Sequence, residues 1–239
     1  MQVVILAGGK GTRIASAHSD VPKNLIPVAG RPFADYQLGW LSRQGATDVI
    51  YSIGHLGDQI RAFVGDGSRW NLRVRYAEEG THLKGTGGAL SLAHELGLLA
   101  PAFCVLYGDS FLPVKLAPIW ETFEAAGTPA LMTVLKNEGR WDRGNAELKN
   151  GKVLYDKSLR TWQGKMPSHI DYGLSILTDS VISGLDKKAE PWDLAELFFS
   201  LSTKGQVTGY EVHDRFFEIG SLEGLRDFES WVKANPIDW

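Results

Sequence analysis

The chain has 239 residues, 44% hydrophobic and 22% charged, with a formal net charge of -3, which is enough apolar material for one α/β core without need of a second. That balance, with no basic run interleaved with aromatics, argues against nucleic acid as a partner. Cys104 is the sole cysteine, which excludes an intrachain disulfide and a cysteine-built zinc site. No segment approaches the roughly 18 apolar residues of a membrane span, and the first apolar stretch lacks a basic leader, so a cytoplasmic location with no membrane partner is expected.

Gln2 to Ala7 is a continuous apolar run ending in Gly8 and Gly9, the pattern of a buried strand that enters a backbone loop. Phe33, Tyr36, Trp40 and Leu41 recur at helical spacing, and Gly45 stands where such a helix would stop. Asp48 to Ile53 then reads as a strand, Leu56 to Val64 as a helix, Leu72 to Tyr76 as a strand, Thr86 to about Leu96 as a helix and Phe103 to Tyr107 as a strand. Regular alternation of this kind predicts a mostly parallel sheet with helices on both faces. Beyond Gly127 the strands shorten, to Ala130–Leu135, Ala146–Leu148 and Lys152–Tyr155, with Asn150-Gly151 as a hairpin signal, and this half is expected to be antiparallel in part. A strand Ile170–Leu177, a helix Leu194–Leu201, a strand Val207–Tyr210 and a last amphipathic helix through Leu222, Leu225, Phe228 and Val232 complete the reading. No internal repeat or extended linker interrupts it, so a single domain over 1–239 is expected.

Two stretches carry chemistry. Leu6-Ala7-Gly8-Gly9-Lys10-Gly11-Thr12-Arg13 is a glycine-rich loop whose backbone N–H groups can approach phosphate oxygens without Cβ interference. It is neither a P-loop nor a G-x-G-x-x-G fingerprint, and by itself it also reads as a tight strand-to-helix turn. In Ser19-Asp20-Val21-Pro22-Lys23-Asn24-Leu25-Ile26-Pro27-Val28, Pro22 restrains the backbone just before Lys23, which suits a fixed cation for a phosphate.

In this order the two stretches resemble the nucleotidyl transferase family that makes NDP-sugars, whose signature runs L-A-G-G-x-G-T-R and then x-P-K-x-x-x-P-V. Gly30-Arg31-Pro32, Lys84-Gly85-Thr86-Gly87-Gly88-Ala89, Tyr107-Gly108-Asp109, Asp156-Lys157, Tyr172-Gly173 and Phe217-Glu218-Ile219-Gly220-Ser221 extend the likeness from Val3 to about Val232. Within the family, Ser19 to Lys23 and Gly85 to Ala89 look most like heptose 1-phosphate guanylyltransferases, with N-acetylmuramate 1-phosphate uridylyltransferases as near neighbours. The resemblance implies a Rossmann-like three-layer α/β/α sandwich with a mixed, mostly parallel central sheet. It places a nucleotide-binding half at about 1–110 and a sugar-binding half at about 111–239.

The implied reaction moves a nucleoside monophosphate from an NTP, GTP being expected, to a sugar 1-phosphate, D-glycero-D-manno-heptose 1-phosphate being expected, with Mg²⁺ as cofactor. Arg13 and Lys23 are the expected catalytic cations. Leu6, Ala7, Gly8, Gly9, Gly11 and Thr12, with Gly85, Thr86, Gly87 and Gly88, are expected on the nucleotide. Glu79 joins them as a carboxylate that can accept both the N1–H and N2–H of guanine. Gly144, Asp156, Lys157, Asp171, Tyr172 and Gly173 are expected on the sugar phosphate, and Asp109 and Glu218 on the metal. Two anions must approach each other, so charge neutralisation and positioning are the catalytic tasks and no covalent enzyme intermediate is required.

Three departures from the family pattern stand out: Asn24 where proline is common, a Glu79 to Gly85 loop one residue longer than usual, and Glu218 where aspartate is expected. Glu218 also reads as a charge at the N-terminus of the last helix, Lys157 as a surface lysine on a hairpin, and Asp171 as a strand-end carboxylate in water. Trp141 and Trp162 either wall the sugar pocket or only pack. The six histidines show no metal-ligand spacing. Other substrates stay open, namely UTP with N-acetylmuramate 1-phosphate or CTP with another sugar phosphate. So does a non-catalytic NDP-sugar sensor, whereas an NAD-dependent oxidoreductase lacks its fingerprint. A monomer or homodimer is expected.

Overall fold

The computed structural model describes residues 1–9, 20–137, 139–162, 164, 166–185 and 191–235. In chain order the strands are β1 (Gln2–Leu6), β2 (Pro27–Val28), β3 (Arg31–Pro32), β4 (Asp48–Ile53), β5 (Arg73–Glu78), β6 (Ala102–Tyr107) and β7 (Ser110–Phe111), then β8 (Ala130–Lys136), β9 (Ala146–Lys149), β10 (Lys152–Tyr155), β11 (His169–Thr178), β12 (Val207–Val212) and β13 (Phe217–Glu218). The helices are α1 (Phe33–Arg43), α2 (Gly57–Val64), α3 (Gly85–Glu95), α4 (Leu116–Ala126), α5 (Asp179–Ser183), α6 (Leu194–Thr203) and α7 (Leu222–Ala234).

One sheet runs β5-β4-β1-β6-β11-β8-β12-β10-β9. Strands β5, β4, β1 and β6 are mutually parallel, as the alternation with helices requires. From β1 the chain winds first to β4 and β5 on one side and then to β6 on the other. The reversal falls between β1 and β6, and in such sheets a crevice opens outside the carboxyl ends of the strands at that point. β11 lies antiparallel to β6 with Leu174 opposite Leu106, which brings Gly173 alongside Tyr107. The pairing of β11 with β8 breaks register between Asp171 and Ser175, and Gly173 sits there at φ 97°, in the left-handed half of backbone space. An irregularity of this kind re-aims side chains out of a strand. The β9–β10 hairpin turns on Asn150 and Gly151, both at positive φ, the turn chemistry that two-residue hairpins favour.

Strand alternation divides the apolar side chains between two cores. Val3 and Ile5 join the cluster under α1, α2, α4 and α7, while Val4 joins the cluster under α3, α5 and α6, giving three layers. The first core is dense in aromatics: Phe228 of α7 packs with Phe33, Tyr36, Phe111 and Phe217. These contacts tie β13 and α7 back onto the first half of the chain, so residues near 218 stand beside residues near 110. Helix α4, which the alternation reading left unassigned, buries Leu116, Ile119 and Phe123 on one face and stops at Gly127. No helix among the described residues is long and apolar enough to cross a membrane.

Candidate active site

The crevice at the strand reversal is a cavity of about 250 Å³ lined by Leu6, Ala7, Gly8, Gly9, Lys23, Asn24, Glu79, Leu83, Gly85, Thr86, Ala89, Tyr107, Gly108 and Asp109. The first strand thus delivers Leu6 to Gly9 to it, and the sixth delivers Tyr107 to Asp109. Gly11, Thr12 and Arg13 lie outside the described residues.

Gly8 is glycine for a visible reason, since a Cβ there would overlap the Glu79 carboxylate. That carboxylate is braced on both oxygens: Oε2 accepts the Lys84 backbone N–H at 2.7 Å, and Oε1 lies 3.4 Å from the Ser52 hydroxyl. Glu79 therefore fixes the spacing between the first loop and the turn that starts α3.

That turn is built around a partner far along the chain. The Trp192 N–H donates to the Lys84 carbonyl at 3.0 Å, and the Gly87 N–H donates to the Trp192 carbonyl at 3.1 Å. A Cβ at Gly85 would overlap the Trp192 backbone, and one at Gly87 would overlap its indole ring. Gly85 and Thr86 line the cavity. Gly87 and Gly88 are buried inside α3, and the Trp192 ring leaves no room for a Cβ at Gly87.

Lys23 opens a short 3-10 turn, Lys23–Leu25, entered through Pro22 at φ -63°. Its Nζ lies 2.9 Å from Asp109 Oδ2, the two side chains being 20% and 24% exposed. A bracket of two buried amides holds both residues in place. Asn24 donates to the Gly108 carbonyl at 2.9 Å, and Gln37 of α1 donates to the carbonyls of Tyr107 at 3.0 Å and Ser110 at 2.8 Å. Asn24 also donates to Gln37 Oε1 at 3.3 Å and accepts from the Tyr51 hydroxyl at 3.4 Å. The Asp109 carbonyl takes the Ile219 N–H at 2.9 Å, so every carbonyl from 107 to 110 has a donor. The sequence reading passed over both amides. Asn24 was visible only as a departure from the family pattern, and Gln37 as a polar residue among the apolar positions of its helix.

Glu218 lies in β13 opposite Ser110 of β7, one residue from Asp109 in the chain, with its side chain exposed. The helix that follows is capped by Ser221, whose hydroxyl accepts the Gly224 N–H at 3.1 Å. Capping is therefore done by Ser221.

In the second half of the chain, Asp171 emerges at the register break and accepts the Gly173 N–H at 2.9 Å. Burial pushes its carboxyl up to about 6, against the pull of the Gly173 N–H and the nearby Lys157 charge. Burial also raises the Tyr107 and Tyr155 hydroxyls, with the Asp171 and Asp193 charges adding to it. Lys157 reaches Asp193 Oδ2 at 2.7 Å. Asp193 is the N-cap of α6, accepting the Ala195 N–H at 3.0 Å, and it also takes a hydrogen bond from the Thr86 hydroxyl at 3.0 Å.

Three expected sugar-phosphate residues have other roles. The Asp156 side chain is fully buried and accepts from the backbone N–H groups of Ser158 and Thr161, the Thr161 hydroxyl and Arg160. Burial works against its charge, yet those hydrogen bonds and Arg160 hold it below the usual carboxylate range. Asp156 shapes the loop that begins with Lys157 and has no face left for a ligand. Tyr172 points to the opposite side of β11 from Asp171, edge-on to Phe216, and is buried. Gly144 is buried where a Cβ would overlap the Pro167 carbonyl, a packing reason for glycine. Trp141 is exposed and carries Arg215 at 4.4 Å over its ring, and Trp162 donates to the Asp156 carbonyl at 3.4 Å.

Comparison with known proteins adds a family. Residues 2–144 match the family model described as nucleotidyl transferase. The chain is 32% identical over 231 residues to D-glycero-alpha-D-manno-heptose 1-phosphate guanylyltransferase of Campylobacter jejuni, covering 95% of this chain and 98% of that protein. It is 26% identical to UTP--glucose-1-phosphate uridylyltransferase of Synechocystis, covering 86% of this chain but only 56% of that protein's length. The crystal structure of HddC from Yersinia pseudotuberculosis shares the fold, with a TM-score of 0.76 at 23% identity over 96% of this chain and 98% of that one.

Proposed function

The chain belongs to the nucleotidyl transferase family, and from that premise we propose that it is a sugar-1-phosphate nucleotidyltransferase that joins GMP from GTP to D-glycero-D-manno-heptose 1-phosphate and releases pyrophosphate. The observation that carries the reading is the Lys23–Asp109 pair. It stands in the wall of a cavity framed by backbone loops, and Tyr107 in that wall lies alongside Gly173 at the register break of β11.

In the proposed reaction an oxygen of the sugar phosphate attacks the α-phosphorus of the NTP in line. The bond from that phosphorus to the bridging oxygen breaks, and the electron pair leaves with pyrophosphate. No proton has to be taken from an ionised phosphate, so the protein's task is to align two anions and offset their repulsion. Lys23 serves the α-phosphate and the incoming phosphate, Arg13 the outer phosphates, and Lys157 the sugar phosphate. Each such cation, at about 4 Å and an effective dielectric near 20, interacts with a phosphate charge by roughly 4 kcal/mol. Asp109 and Glu218 offer carboxylate oxygens, the donors Mg²⁺ prefers, and as few as two such ligands leave room for phosphate oxygens. Bound there, the ion would offset charge on the phosphates.

GTP is favoured because one of the relatives that match this chain nearly end to end, at 32% identity, is named a guanylyltransferase. The Glu79 carboxylate at the cavity wall also supports it, since a carboxylate is the side chain that can accept the paired N1–H and N2–H of guanine. Incubation with GTP, UTP, CTP and dTTP against a panel of sugar 1-phosphates, following pyrophosphate, tests the proposal. Turnover should be fastest with GTP and the heptose phosphate. A different winning pair would replace the substrates and keep the activity, whereas tight NDP-sugar binding with no pyrophosphate from any pair would make the protein a sensor.

A further inference from the structure

Asp193 was not singled out by the sequence, yet it joins three parts of the cleft. Its Oδ2 holds the Lys157 ammonium at 2.7 Å. Its Oδ1 accepts from the Ala195 N–H and from the Thr86 hydroxyl, each at 3.0 Å. The same Thr86 oxygen accepts the Leu194 N–H at 2.8 Å, and the flanking Trp192 pairs its backbone with Lys84 and Gly87. The α6 cap is thus stitched to the turn that lines the nucleotide cavity. Lys157, a long side chain 59% exposed just beyond the hairpin strand β10, finds in Asp193 of that stitch an ion-pair partner.

We propose that Asp193 is a positioning residue that tethers Lys157 to the Thr86 turn, so that the cation meant for the sugar phosphate is set in register with the nucleotide. The proposal rests on the nucleotidyltransferase reading for what Lys157 does once placed. An untethered lysine would still attract the phosphate dianion, more strongly without the competing carboxylate, but would hold it in many orientations. The tether therefore trades attraction for alignment, and alignment is felt in turnover more than in binding.

Asp193→Asn separates the tether from the cap. Asparagine caps helices as well as aspartate and can still accept from Ala195 and Thr86, so only the negative charge facing Lys157 is lost. Asp193→Ser, a second cap-competent change, should behave alike. The expected result is a kcat lower by about tenfold with no rise in KM for D-glycero-D-manno-heptose 1-phosphate at saturating GTP, and an unchanged Tm. Placing Asp193→Asn on top of Lys157→Ala should cost nothing more, because the two act as one unit. A merely structural role would instead add its loss to that of Lys157→Ala and lower Tm, and either result overturns the proposal. A readout independent of turnover is limited labelling of the ligand-free protein with acetic anhydride, followed by mass spectrometry. Lys157 should react several-fold faster in Asp193→Asn than in wild type while Lys152 reacts equally in both, and equal labelling of Lys157 overturns the tether. Absence of wild-type turnover would strike the functional reading, and the labelling would still decide the tether.

Discussion

Lys23 Nζ lies 2.9 Å from Asp109 Oδ2, and the Cα of Gly220 faces both, since a Cβ added there would sit 3.5 Å from each atom. The chain therefore brings a cation and a carboxylate to one point from segments 86 residues apart. The pair is partly exposed, and pairs of that kind contribute about 1 kcal/mol or less to stability. Lys23→Ala should accordingly melt close to wild type while turnover falls by about 10² to 10³, the range for losing one preorganised charge-stabilising group. Wild-type turnover from a folded Lys23→Ala protein would remove this lysine from the mechanism.

Asn24 should matter through the loop it holds. Its amide is buried and satisfies the Gly108 carbonyl at 2.9 Å, next to Asp109 in the chain and next to Lys23 on its own side. Asn24→Ala leaves that carbonyl without its donor, and such a loss costs about 1–3 kcal/mol. Urea unfolding should show a lower midpoint with an unchanged slope, and turnover should fall even for the folded fraction because Lys23 and Asp109 lose their common support. An unchanged midpoint would mean that the Gln37 bonds alone hold the loop.

Asp171 predicts a pH dependence of stability with a definite sign. Its carboxyl is raised from the ordinary 3.8 to about 6 by burial, so the folded chain holds the proton more tightly than the unfolded chain. Between those values unfolding releases a proton, and this group's contribution makes stability fall as pH rises through the window. Asp171→Asn keeps an acceptor for the Gly173 N–H and removes the charge. Its Tm should exceed that of wild type at about pH 8, and the gap should close towards about pH 4. A gap that stays constant across that range would mean the carboxyl is not destabilised by burial.

Most of the fold was legible because periodicity is a local property. Gln2–Leu6 is a continuous run buried on both faces, and it forms the parallel strand expected of such a run. Asn150-Gly151 forms the expected tight hairpin for equally local reasons. The two-residue strands β7 and β13 carry no period to read, yet their pairing is what sets Glu218 beside the Asp109 loop. The motifs of the cleft were legible as residue order, but the reasons for some of their residues were not. Gly87 answers to Trp192 and Gly144 to Pro167, packing facts between segments whose spacing carries no signal, while Asp156 answers to the hydrogen bonds of its own loop. Gln37 shows what signal could have been read, since a polar residue among the apolar positions of a helix must be satisfied by something.

Glu218 is where the chain departs from its family by one methylene in a proposed metal ligand, and it yields the most discriminating prediction. β13 places it opposite Ser110, and the backbone bond from Ile219 to the Asp109 carbonyl locks the two segments together. The hydrogen-bonding cap of the last helix is Ser221, whose hydroxyl accepts the Gly224 N–H, so Glu218 would serve that helix only as a nearby charge. What remains to separate is a ligand from an exposed strand-end carboxylate. Magnesium tolerates little deviation from octahedral geometry at about 2.0–2.1 Å, so a longer side chain must bind through water or from a slightly different backbone setting. If Glu218 is a ligand, Glu218→Ala should raise the magnesium concentration needed for half-maximal turnover and depress the plateau rate, while Glu218→Asp keeps much of the activity. Thermal stability should move little in either variant, since the side chain is exposed and the cap is intact. Should Glu218→Ala instead retain both the wild-type magnesium dependence and the wild-type rate, Asp109 and the substrate phosphates must hold the ion without it.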